Sequence, residues 1–179
     1  MERSAARHAV LTGAPGAGKT TLLEAAARAG FATSREVART LLQAPGGMKL
    51  RETDPLAFAE AMLDAHLREY ELMEGRRGPV IFDRGLPDVV GFLDVSGLPI
   101  PGAIDTACRN VRYIGPIFRA PAWRDIYRQD SERIQDWAGA VASDEAVTAA
   151  WRRYGYKMTT LPLAPVDERL ALLREALKS

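Results

Sequence analysis

Residues 13 to 20 read GAPGAGKT and fill every fixed place of the pattern G-x-x-x-x-G-K-[ST]. An apolar run, HAVLTG, precedes this octet and a helical pattern, KTTLLEAAARAG, follows it. Gly13, Gly16 and Gly18 allow backbone conformations that turn successive N–H groups toward one centre, with Ala14, Pro15 and Ala17 completing the turn. The helix that opens at Lys19 adds a dipole favourable to an anion. The chemistry is a seat for the phosphates of ATP or GTP. Lys19 reaches the β- and γ-phosphates, the Thr20 hydroxyl is placed for Mg²⁺, and Thr21 lies beside it in the first turn.

A second element is PVIFDRGLPD, an apolar strand ending in Asp83. A carboxylate at such a tip, downstream of a phosphate loop, can hold magnesium directly or through water. Arg84 follows, and reads either as half of a structural ion pair or as a cation over a transferring phosphoryl group. Asp88 reads either as a contact to an acceptor's hydroxyl or amine or as a helix cap. A third element, WRDIYRQDSERIQDW (123–137), carries Arg124, Arg128 and Arg133 among four acids. It reads as a solvated helix with i,i+4 pairs or as a lid whose arginines neutralise phosphate charge. In FATSREVART (31–40), a short strand meets a helix at Glu36, with Arg39 three residues on; the stretch alone does not say whether Glu36 accepts a proton or pairs with a structural arginine.

These residues need a scaffold, and the chain is long enough to supply one. Its 179 residues fit a single domain, and 47% hydrophobic with 26% charged residues can bury a core. A net charge of +1 gives no support for duplex DNA or an anionic membrane as partner. One cysteine, Cys108, allows neither an intrachain disulfide nor a cysteine zinc site, and His8 and His66 are far apart. No window approaches the about 20 apolar residues of a membrane helix, and no signal-peptide core opens the sequence. The expectation is a cytoplasmic monomer or homodimer that binds a nucleotide and a small acceptor.

Short apolar runs alternate with helical patterns, which predicts parallel α/β structure. Strands are expected at 8–13, 31–36, 79–84, 112–118 and 156–163. Asp54 and Pro55 open a long helix with Leu56, Ala59, Met62, Leu63, His66, Leu67 and Tyr70 on one face. Residues 85–110 predict short helices, and two late helices are expected from DSERIQDWAGAVA and SDEAVTAAWRRYG before the amphipathic VDERLALLREALKS.

The stretches GAPGAGKTTLLEA, REVAR, DPLAFAE, GPVIFDRGLPDVVGF, IFRAPAWRDIYRQDSERIQD and YGYKMTTLP together resemble the small P-loop nucleoside and nucleotide kinases. More closely, the chain resembles the single-domain "AAA-domain" ATPases grouped with the nicotinamide riboside kinase domain. The resemblance implies a three-layer α/β sandwich around a five-stranded parallel sheet of order 2-3-1-4-5, with an acceptor insert at about 85–110 and a lid at about 120–137. It implies that Glu36 is the general base, that Arg39 orients the acceptor or its phosphate, and that Asp83 and Arg84 complete the centre. It places the donor base beside Pro165 and Val166. Gly85 departs from the serine or tyrosine that follows the Asp–Arg pair in those kinases. The implied activity is Mg²⁺-dependent phosphoryl transfer to a small, hydroxyl-bearing acceptor. A nucleotide-binding switch or slow NTPase is the alternative. Phe58, Met62, Phe92, Tyr113 and Trp123 are further candidates for walls of the acceptor pocket, or for core.

Overall fold

The computed structural model describes residues 8–76, 78–128 and 136–178. Its centre is a five-stranded sheet of order β2-β3-β1-β4-β5, formed by β1 (His8–Gly13), β2 (Ala32–Thr33), β3 (Val80–Asp83), β4 (Ile117–Ala120) and β5 (Met158–Thr160). Every pairing is parallel. The register sets Leu11 opposite Asp83 and Gly13 opposite Ala120, so the ends of β1, β3 and β4 lie at one rim. The expected order and strand direction hold.

Alternation along the strands builds two cores. Val10, Val80, Phe82 and Ile117 face one side, where they meet α4 (Pro55–Glu74), α5 (Leu86–Val95) and α7 (Trp137–Arg153). Ala9, Leu11, Ile81 and Phe118 face the other, against α1 (Lys19–Arg28) and α8 (Val166–Lys178). Between them in sequence lie α2 (Val37–Gln43), α3 (Gly47–Thr53) and α6 (Gly102–Asn110). Asp54 caps α4 as expected, its carboxylate accepting from the Ala57 N–H at 3.0 Å.

Strands two, three and five are shorter than the apolar runs suggest, and β4 is shifted. Residues 112–116 are not strand, because Gly115 passes so close to β1 that a Cβ there would lie 2.0 Å from the His8 carbonyl oxygen. Pro116 has no N–H to give the ladder; its carbonyl accepts from Val10 at 3.0 Å and pairing begins at Ile117. The two late helices are one. Ser143 and Asp144, which open the stretch expected to start the second helix, sit inside α7, and Asp144 is taken up in tertiary contacts with Arg119 at 2.7 Å and the Ala122 N–H at 3.1 Å. The start falls instead on Asp136, which caps through the Gly139 N–H.

Candidate functional site

The loop between β1 and α1 is held open by sterics. Gly13 has φ 122°, and a Cβ there would lie 2.1 Å from the Ala120 carbonyl oxygen, so only glycine fits the crossing of β1 and β4. Gly18 has φ 76° and turns the chain into α1 without a side-chain cap, which leaves the first N–H groups of the helix unclaimed by a side chain.

Next to this loop is a cavity of about 300 Å³, lined by Gly13, Pro15 to Thr21, Glu36, Arg39, Asp83, Arg84 and Asp88 among others. The fold thus brings together residues from β1, α1, α2, β3 and α5 that are distant in sequence. Ala14 is buried beneath the loop. A second hollow, about 370 Å³, shares Thr20, Glu36, Arg39 and Asp83 with the first.

Lys19 is buried, and its ammonium group donates to the Ala14 carbonyl and, at 3.4 Å, to that of Gly13. Burial, and then the Arg84 guanidinium, bring it down to about 7 against the pull of Asp83, Glu36 and Asp88. Asp83 moves the other way. Burial and the Glu36 carboxylate push it up to about 7, and Arg84 and Lys19 do not offset this. The Asp83 backbone N–H is held by Ser34 Oγ at 2.9 Å, yet its Oδ1 is buried and has no hydrogen-bond partner among the described residues. An orphaned hard oxygen at a strand tip, in a cavity that Thr20 also lines, fits Mg²⁺. No cluster of three or more acidic, histidine or cysteine side chains suits a metal among the described residues, so phosphate oxygens and water would complete the shell.

Glu36 is the N-cap of α2, but its side chain caps nothing; Thr40 bonds to its carbonyl instead. The half-buried carboxylate faces the cavity and contributes to the charge balance of Lys19, Asp83 and Arg84. Arg84 adopts left-handed backbone, φ 64°, and directs its guanidinium to the Gly13 carbonyl and to Asp88 Oδ1, both at 3.0 Å. Asp88 is itself committed. It also accepts from Thr12 Oγ1 at 2.5 Å, the Gly85 N–H at 3.0 Å and Trp151 Nε1 at 2.9 Å.

The remaining expected residues are dispersed. The Arg124 guanidinium packs over the Trp137 ring at 5.2 Å, and that of Arg128 donates to the carbonyls of Asp125 and Tyr127. Arg133 lies outside the described residues. Pro165 and Val166 form the start of α8, where the Pro165 carbonyl accepts from Arg169. Phe58, Met62 and Phe92 line the cavity. Tyr113 does not; it is core, 5.2 Å from Phe82, with its hydroxyl accepting from the Leu86 N–H. Trp123 lies against Arg169, at 5.9 Å.

Arg169 escaped the sequence reading. It is 3% exposed, donates to the Ala17 carbonyl at 3.0 Å from behind the loop, and keeps a buried Nε without a partner among the described residues. Burial lowers its proton affinity, and no acid among the described residues opposes this. The signal was present: Arg169, Leu173 and Leu177 fall at i, i+4 and i+8, which puts an arginine on the buried stripe of α8.

The family model described as "AAA domain" matches residues 8–169. The chain belongs to this family. No curated protein matches the sequence. Among solved structures, this chain is similar to deoxyadenosine kinase from M. mycoides with bound dATP, with 15% identity and a TM-score of 0.73 over 96% of this chain and all of that one. It is also similar to the NadR protein in complex with NR, with 16% identity and a TM-score of 0.74 over 97% of this chain. The chain spans about half the length of that protein, 51%. At such identity the likeness concerns the fold. No described helix is long and apolar enough to cross a membrane.

Proposed function

We propose that the chain is one phosphotransferase domain that uses ATP or GTP with Mg²⁺ and phosphorylates a small, hydroxyl-bearing, nucleoside-like acceptor. The observation that carries this reading is the Glu36 carboxylate, which caps no helix and lines one cavity with Lys19, Asp83 and Arg84. A nucleotide switch has no use for a base there. The fold neighbours support the reading: one is a deoxyadenosine kinase holding dATP, and NadR is also described in complex with NAD and AMP-PNP.

In this mechanism the loop N–H groups and Lys19 hold the β- and γ-phosphates, once Lys19 leaves the Ala14 carbonyl. Thr20 and Asp83 would hold Mg²⁺, which would supply charge neutralisation at the phosphates. Glu36 accepts the acceptor's hydroxyl proton as the oxygen attacks the γ-phosphorus. A new O–P bond forms, and the bond from that phosphorus to the β,γ-bridging oxygen breaks. The electron pair leaves with the nucleoside diphosphate. Arg84, aimed by Asp88, faces the transferring group, and Arg39 orients the acceptor. Arg124, Arg128 and Arg133 belong to a segment, 120–137, that closes over the nucleotide with Pro165 and Val166 beside the base. Positioning and charge neutralisation supply most of the rate.

The test is incubation with γ-labelled ATP and a panel of nucleosides and small hydroxyl compounds. Label is expected in an organic phosphate ester, and Glu36→Gln should lose about 10² to 10⁴ in transfer while retaining Mg·ATP affinity. Label appearing as free phosphate across the whole panel would favour the NTPase or switch reading. Full transfer by Glu36→Gln would remove the base.

A further inference from the structure

Beyond the phosphate end, the cavity extends between α2, α3, α4, α5 and α7 as an arm walled by Phe58, Met62 and Phe92. Two aromatic rings, 5.5 Å apart in an edge-to-face arrangement, suit a flat ring. The polar side chains of this arm are Arg39, Arg51, Ser96 and Ser143. Among the described residues, the acids that line the cavity, Glu36, Asp83 and Asp88, are those already placed at the phosphate end, and no carboxamide lines it. Nearby backbone acceptors are also used: the carbonyls of Phe92, Leu93 and Asp94 accept from Ser96, Leu98 and Gly97.

The arm is therefore rich in donors and poor in acceptors. A guanidinium has five N–H donors and no acceptor. Arg51 stands over the Phe92 ring at 6.0 Å and pairs with no carboxylate among the described residues. A ring that presents an amino group here meets at best a serine hydroxyl. A ring that presents a carboxylate meets a fork of matched geometry.

We propose that the acceptor is a planar ring compound bearing both a hydroxyl and an anionic group, and that Arg51 binds the anion beside the Phe92 ring. The inference rests on the kinase reading above for the hydroxyl but not for the anion. It makes Arg51 a specificity residue, whereas Glu36, Asp83 and Arg84 serve any acceptor.

Three probes of one scaffold separate the possibilities: orotidine, whose ring carries a carboxylate; uridine, whose ring offers carbonyls; and cytidine, whose ring offers an amino donor. Each is titrated by calorimetry into the full chain loaded with Mg²⁺ and a non-hydrolysable ATP analogue, and each is also assayed for label transfer. Orotidine is expected to bind at least tenfold more tightly than cytidine, with uridine between them. Arg51→Gln should erase about tenfold of the orotidine advantage and leave uridine within threefold, and Arg51→Lys should restore part of it. Equal binding of all three, tighter binding of cytidine, or no binding of any overturns the inference. If orotidine is favoured but all label appears as inorganic phosphate, the anion site stands and the transfer reading fails. If cytidine is phosphorylated as well as orotidine, the transfer reading stands and the anion site fails.

Discussion

Arg84 and Asp88, one turn apart, form a buried ion pair at 3.0 Å, and the same guanidinium hydrogen-bonds to the first glycine of the phosphate loop, Gly13. The pair ties the tip of β3 and the start of α5 to β1. Asp88 accepts from four groups, so its charge is fully used inside the fold. Two of these donors, Thr12 and Trp151, belong to β1 and α7.

Asp88→Asn tests that arrangement. The amide turns one acceptor into a donor facing groups that themselves donate, and takes from Arg84 the largest of its three counter-charges. A loss of about 3 kcal/mol in unfolding free energy is expected. Denaturant titration measures it, and a change below about 1 kcal/mol would show the node to be dispensable.

Lys19 and Asp83 predict a proton exchange with the ligand. Asp83 is raised to about 7, so below that pH it binds a proton that a bound Mg²⁺ would displace. Lys19 is lowered to about 7, so above that pH it takes up a proton when phosphates arrive. Mg·ATP binding should therefore release protons at pH 6 and take them up at pH 8. Calorimetry in buffers of different ionisation enthalpy reads this directly. Asp83→Asn should remove the release at pH 6 relative to wild type, and identical proton counts in the two proteins would exclude Asp83 as the source.

Arg169 predicts an effect of charge behind the loop. A buried cation with no acidic partner among the described residues is costly unless an anion comes near, and a bound triphosphate would supply one across the Ala17 peptide. Arg169→Gln should weaken ATP affinity about tenfold, and Arg169→Lys less. Inorganic triphosphate should lose as much as ATP. A loss confined to ATP would instead assign Arg169 to the base.

His66, on α4, predicts the response to acid. Its Nε2 is buried without a partner among the described residues, and burial lowers its pKa to about 4 from 6.5, with Asp88 opposing and Arg84 assisting. The folded value lies below the unfolded one. Stability is therefore intact above pH 6.5 and falls as pH drops toward 4, because the unfolded chain binds a proton that the folded chain refuses. The shift corresponds to about 3 kcal/mol. His66→Leu should flatten that component, seen as a difference between wild-type and variant melts at pH 7 and pH 4.5.

The local features were legible. GAPGAGKT constrains its own backbone through glycine, and Asp54 before Pro55 starts α4 by a hydrogen bond three residues away. Such signals act within a few residues, so order along the chain contains them. The strand boundaries at 112–120 were less legible, because Gly115 is fitted to the close approach of β1 and Pro116, which has no N–H, gives the ladder only its carbonyl. Asp144 misled for the same reason: a cap and a buried partner for Arg119 look alike until the partner is in place.

By itself, the sequence determined that a glycine-rich turn follows an apolar strand, that another strand ends in Asp83, and that the sheet is parallel. Only the tertiary structure decided that Glu36 shares a cavity with Lys19, that Asp88 is spent on Arg84, Thr12 and Trp151, and that Arg169 supports the loop from behind. Backbone conformation is set by near neighbours through steric exclusion. The charge state and availability of a side chain depend on burial and on partners that the fold brings in from far along the chain.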